Sequence, residues 1–101
     1  FRIDHFGDII ISGYARFGDN CIIRNGVTVG LKNIDEKMAP QIGNNVNIGA
    51  GAKLLGPISI GNNVDIGANA VVIDSVPDNS IAVGIPARII LKTPEENNEQ
   101  Q

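Results

Sequence analysis

His5 is the only histidine in this 101-residue chain. Its ordinary pKa lies near neutral pH, so a neutral imidazole can take a proton from an attacking hydroxyl. Asp4 precedes it. A carboxylate commonly orients such a ring, and Asp8 is a weak candidate for that partner. The single cysteine, Cys21, is a poor nucleophile candidate, because the six-residue repeat of the chain reads it as inward. Arg88 and Lys92 are cations placed late in the patterned sequence. As ordinary solvated charge they need no function, but they could meet anionic groups. A three-histidine metal centre cannot be built from one histidine, so no metal site is expected.

The elements that position these residues follow from a repeat. Stepping by six from Ile42 gives Ile42, Ile48, Leu54, Ile60, Ile66 and Val72, all aliphatic. The position four further on gives Val46, Ala52, Ile58, Val64, Ala70 and Val76, all small or aliphatic. In a chain that is 43% hydrophobic, twelve hits in twelve would arise by chance roughly once in 10⁴ to 10⁵ trials. The repeat is therefore real. Gly follows the leading residue at 43, 49, 61 and 67, and Asn and Gly fill the turn positions. Both residue types tolerate left-handed backbone. Period six fits neither a helix nor an antiparallel meander. It fits a short strand plus a turn, three to a triangular coil of eighteen residues.

Upstream, Phe17, Ile23 and Val29 continue the frame, and Cys21 falls at an inward position as a small buried residue. Ile3 and Ile9 can lead two further hexads, with Ala15-Arg16 as a small insertion. One face then starts with Ile3, Ile23, Ile48 and Ile66. A second starts with Ile9, Val29, Leu54 and Val72, and the third with Phe17, Ile42 and Ile60. The stretch 31–41, LKNIDEKMAPQ, breaks the repeat and reads as a loop leaving after the second face and returning at the third. His5 falls at an outward corner, in a column with Asn25, Ala50 and Ala68. With coils about 4.8 Å apart, His5 to Ala68 is roughly 14 to 15 Å.

Composition sets bounds. The length allows one domain, read as residues 1–92, with a polar tail at 93–101 expected to be disordered. A net charge of −3 and a pI near 4.9 give no electrostatic footprint for nucleic acid. No stretch suits membrane insertion. The single cysteine fits a reducing, cytoplasmic setting. The chain begins with Phe1 rather than Met and is read as a piece of a longer one.

The hexads, Asp4-His5, the GAGAK segment 49–53 and the GIPAR segment 84–88 together resemble the hexapeptide-repeat acetyltransferases. Within them the likeness is to serine acetyltransferase and its polysaccharide O-acetyltransferase relatives, over about residues 2–92. The resemblance implies an all-β left-handed parallel β-helix and a homotrimer with active sites between subunits. It implies acetyl-CoA as co-substrate and acetyl transfer to a hydroxyl. His5 would be the general base and Asp4 a substrate-binding residue. Ala50 and Ala68 would line coenzyme A, with Arg88 and Lys92 meeting its phosphates. The orienting carboxylate of the relatives would lie before Phe1. Serine acetyltransferases carry an Arg-His pair where this chain has Met38 and Ala39, ahead of Pro40. An amino-acid carboxylate wants a bidentate Arg. The relatives' C-terminal Ile, which docks cysteine synthase, is Gln101 here. Both departures favour a sugar of a surface polysaccharide as acceptor. Free L-serine is the alternative, and a non-catalytic repeat scaffold the alternative outside enzymes.

Overall fold

The structure is a computed structural model that describes the backbone of residues 2–3 and the whole of residues 9–31 and 38–92. Thirteen strands of two to four residues follow one another along the chain. The first face holds β1 (Arg2–Ile3), β4 (Ile22–Ile23), β7 (Asn47–Ile48), β10 (Asp65–Ile66), β12 (Ser80–Val83) and β13 (Arg88–Leu91), in that order. The second stacks β2 (Ile10–Ile11), β5 (Thr28–Gly30), β8 (Lys53–Leu55) and β11 (Val71–Val72). The third stacks β3 (Arg16–Phe17), β6 (Gln41–Ile42) and β9 (Ser59–Ile60). Every pair is parallel except β12 with β13. This is the triangular coil that period six predicts, a left-handed parallel β-helix. No helix among the described residues is long and apolar enough to cross a membrane.

The register confirms the middle of the frame. Ile23, Ile48 and Ile66 stack in line, as do Val29, Leu54 and Val72, and Phe17, Ile42 and Ile60. Because side chains alternate across a strand, each leading aliphatic points inward. Cys21, Ile23, Val27, Val29, Ile48, Ala52, Leu54, Val64 and Ala70 have no exposed surface. Full burial of an Ile or Leu of this stack contributes about 2 kcal/mol, and the stack repeats it coil after coil.

Both ends correct the frame. Ile11, not Ile9, stands opposite Val29 and leads the second face. Ala15 is then a regular inward residue and is buried, not part of an insertion. The surplus lies earlier: Ile3 pairs with Ile23 and Ile10 with Thr28, so six residues connect the first pair of strands where four connect the next. At the far end Val76 bridges to Ile60. It therefore occupies a leading position on the third face, not the companion position counted from Val72. Along the first face the paired isoleucines and Ala82 are separated by 20, 25, 18 and 16 residues (Ile3, Ile23, Ile48, Ile66, Ala82). The step of 25 holds the stretch between β5 on the second face and β6 on the third, where the loop is expected; 32–37 of it lie outside the described residues.

Two turn devices hold the coils in register. Asn20, Asn45, Asn63 and Asn79 all have positive φ, between 57° and 60°, at the corner between third and first faces. Asn45 Nδ2 donates to Asn63 Oδ1, and Asn63 Nδ2 to Asn79 Oδ1, each at 3.2 Å. One residue earlier, Asn44 Oδ1, Asn62 Oδ1 and Asp78 Oδ1 each accept a backbone N–H from the coil below, at 2.7 to 2.8 Å. At Gly49 the next coil passes so closely that a Cβ would stand 2.6 Å from Ala68 N and 2.8 Å from Ile66 O.

The last strand reverses direction. Gly84, at φ 102°, starts a turn that sends β13 back antiparallel along β12, pairing Val83 with Arg88 and Ser80 with Leu91. Ile89, Ile90 and Leu91 are 40%, 46% and 60% exposed. They lengthen the first face by one strand instead of sealing the interior.

Candidate active site

The corner between first and second faces carries the column singled out in the sequence. Asn25 and Ala50 each lie two residues past a registered isoleucine, Ile23 and Ile48, and Ala68 lies two past Ile66. Backbone hydrogen bonds tie the rungs: Gly51 N donates to Asn25 O and Asn69 N to Ala50 O, both at 2.9 Å. Gly26 and Gly51 at φ 76° and 75°, and Asn69 at 61°, let each rung turn tightly. The side chains on this edge are therefore small and evenly spaced, one coil apart. Ala50 is half-buried and Ala68 exposed, so the corner presents a strip of methyl groups one coil apart.

Arg88 stands at the upper end of that strip. It pairs with Val83, one residue beyond the Ala82 that faces Ile66. The turn before it is fastened to the same corner, because Gly84 O accepts from Val71 N at 3.0 Å and Ala87 N donates to Val71 O at 2.8 Å. Arg88 is exposed, so its guanidinium is open to an anion.

Lys92 is not brought to the strip. Four residues of strand, about 13 Å, carry it to the opposite edge of the first face. There its backbone N–H donates to Asn79 O at 2.8 Å. Its ammonium lies 2.9 Å from Asp65 Oδ2 and 3.2 Å from Asn63 O. Lys92 thus pins the end of β13 to the asparagine corner.

Asp4, His5 and Asp8 lie outside the described residues, as do 32–37 and 93–101. Ile3, the last described residue before Asp4-His5, is registered on Ile23. Cys21 is buried and its Sγ donates to Gly43 O at 3.2 Å. That is a satisfied core thiol with no access to a substrate. Met38 is 65% exposed, whereas Ala39 is buried. Among the described residues no three His, Cys, Asp or Glu side chains gather as a metal site would require.

The repeats match two family profiles, "bacterial transferase hexapeptide (six repeats)" over residues 39–74 and "hexapeptide repeat of succinyl-transferase" over residues 16–30. Among curated proteins the chain is 46% identical over 89 residues to WcaB of Escherichia coli (strain K12), named as a colanic acid biosynthesis acetyltransferase. That match covers 88% of this chain and 55% of the relative. Serine acetyltransferase of Mycobacterium tuberculosis (strain H37Rv) is also 46% identical, over 87% of this chain and 39% of the relative. This chain belongs to the hexapeptide-repeat transferases. The hexapeptide-transferase coil also superposes on the crystal structure of serine acetyltransferase from Brucella abortus strain S19, with a TM-score of 0.85 at 42% identity, over 90% of this chain and 37% of that one. The crystal structure of the Brucella protein in complex with coenzyme A gives the same score at 41% identity and the same coverage. The chain spans 55% and 39% of the two curated relatives described.

Sequence reasoning missed a second exposed group, at the corner between second and third faces, where the loop returns. Tyr14, Arg16, Met38 and Gln41 are all exposed there. The only signal available was that Tyr14 is the sole tyrosine of a chain without Trp.

Proposed function

We propose that this chain is the β-helix part of an acetyl-CoA-dependent O-acetyltransferase whose acceptor is a sugar hydroxyl of a surface polysaccharide. The observation that carries the reading is the strip along Ala50 and Ala68, closed at one end by the exposed Arg88. A pantetheine arm is long, thin and mostly uncharged, and it suits a column of small side chains. The phosphates of coenzyme A suit a guanidinium at its end. The residues that line the strip fall within the 89 matched to the acetyltransferase relatives. Lys92 would assist only through contacts other than its pairing with Asp65.

His5 is the general base. Its imidazole takes the proton of the acceptor hydroxyl as that oxygen attacks the thioester carbonyl. The tetrahedral intermediate expels coenzyme A as the thiolate, and the imidazolium returns the proton to sulfur. Attack is direct, because the buried Cys21 cannot form an acyl-enzyme. Asp4 binds the acceptor beside it. The working unit is the homotrimer that the family resemblance implies, and a narrow coil with open ends and a small core gains from such association. Residues 1–92 make the domain, the tail expected at 93–101 lies outside the described residues, and the setting is cytoplasmic, in keeping with the single thiol.

The acceptor preference rests on Met38 and Ala39. An exposed thioether and a buried methyl offer no bidentate cation to an amino-acid carboxylate. L-Serine is the second reading, favoured by the relatives that carry the name serine acetyltransferase. Thiol release from acetyl-CoA, measured with L-serine and with a panel of sugars, tests both. Rapid turnover with serine alone would reject the sugar. Changing His5→Ala should lower the rate by at least about 10²-fold, with coenzyme A binding and oligomer size unchanged. Full activity in that variant removes His5 from the chemistry.

A further inference from the structure

The corner between the second and third faces holds Met38, on which the acceptor preference rests, and beside it a turn that the transfer chemistry described above does not use. The turn 12–15 is tied down from within and from the next coil. Tyr14 N donates to Ser12 Oγ at 3.2 Å and Ala15 N to Ser12 O at 3.1 Å. Arg16 Nη1 folds back onto Gly13 O at 3.1 Å and Ala15 O at 2.9 Å. From the coil above, Gln41 Nε2 reaches Tyr14 O at 3.4 Å and Ala39 O at 3.2 Å. Arg16 is registered on Gln41, so the turn 12–15 lies against the segment 38–40 that leads into β6.

This rigid turn displays an unused aromatic ring. Tyr14 is 50% exposed, and its hydroxyl has no partner among the described residues. An exposed tyrosine held on a fixed backbone loses little entropy when a ligand covers it. Three planar or polarizable groups belong to the same corner: the Arg16 guanidinium and the Gln41 amide, both bonded to the carbonyls of the turn and with donors to spare, and the exposed Met38 thioether next to Ala39. A flat electron-rich ring flanked by hydrogen-bonding forks suits a pyranose. The C–H face of the sugar meets the negative face of the ring, and its hydroxyls meet the planar side chains. A free amino acid has no such face.

We propose that Tyr14, with Arg16, Gln41 and Met38, forms a carbohydrate subsite that holds a pyranose unit of the acceptor. This deepens the sugar-acceptor reading and rests on it. In one chain the subsite lies a full face away from the Ala50–Ala68 strip. It therefore holds either a neighbouring sugar of a polymeric acceptor or the acceptor of an adjacent copy.

The test uses the full-length protein on an array of immobilised pyranose oligosaccharides, with circular dichroism and coenzyme A calorimetry on every variant. The unsubstituted protein should bind at least one glycan. Tyr14→Ala and Tyr14→Leu should weaken that binding by about tenfold or more, while Tyr14→Phe stays within about twofold. Coenzyme A affinity should be the same in all four proteins. Absence of any bound glycan, or equal binding by Tyr14→Ala and the unsubstituted protein, overturns the subsite. Failure of coenzyme A to bind would instead count against the transferase reading, and the glycan result would stand separately.

Discussion

Asn63 does two jobs at one turn. Its backbone sits at φ 59°, which costs most L-residues roughly 1 kcal/mol and asparagine less. Its amide also takes a hydrogen bond from Asn45 and gives one to Asn79. Asn63→Ala loses both contributions and should lower stability by about 2 kcal/mol. Asn63→Gly keeps the left-handed turn and loses only the side-chain bonds, so about 1 kcal/mol or less is expected. Urea midpoints of the two variants separate the contributions, and equal losses would show that the backbone share is negligible. The turn role was legible from the Asn-Asn pairs in the sequence. The ladder was not, because it depends on which rungs face each other. The roles of Lys92 and Arg88 were indistinguishable in sequence for a related reason. Four residues look adjacent in a string, but a strand carries them to opposite edges of a face.

At the scale of the element, the glycines after the leading aliphatics are spacers between coils. A methyl at Gly49 would meet backbone atoms at 2.6 and 2.8 Å, and backbone on a registered ladder cannot yield. Gly49→Ala should cost about 2–3 kcal/mol and lower the melting temperature accordingly. At Gly30 a methyl would meet only Thr28 Cγ2 at 3.9 Å, so Gly30→Ala should leave the melting temperature nearly unchanged. Similar behaviour at both positions would contradict the close approach. The frame from Ile42 to Val72 was readable because every coil there has full length. It failed where corners change length. Ile9 and Ile11 share the same phase of the strand alternation, so periodicity cannot choose between them, and only pairing with Val29 does. The final strand escaped notice because Arg88-Ile89-Ile90-Leu91 shows no period of six and its reversal depends on the positive φ of Gly84. The candidate site was legible to the same degree: the Ala50–Ala68 column followed from counting, while the turn of Tyr14 needed the register that brings Gln41 onto its carbonyl.

The whole molecule is a one-dimensional stack in which each coil touches only its neighbours. Stability in such arrays is a sum of unit and interface contributions, and end units have one interface instead of two. Amides bonded between central coils should exchange slowest, among them Asn47 to Val64, Gly49 to Ile66 and Lys53 to Ala70. Those at the ends, Ile10 to Val27 and Lys92 to Asn79, should exchange at least about tenfold faster. Hydrogen exchange followed by mass spectrometry reads this gradient, and uniform protection along the chain would show all-or-none opening. The steps of 20, 25, 18 and 16 residues along the first face carry a different lesson, about heredity. Apart from the step of 25, the coils of this chain depart from eighteen residues by two, once up and once down. A single insertion there would turn every following side chain inside out, so the unit of tolerated change is the dipeptide. Only the excursion between Gly30 and Gln41, with its odd surplus of seven over the eighteen-residue step, escapes that grammar. New sequence of any length can be grafted there while the frame downstream is still read correctly.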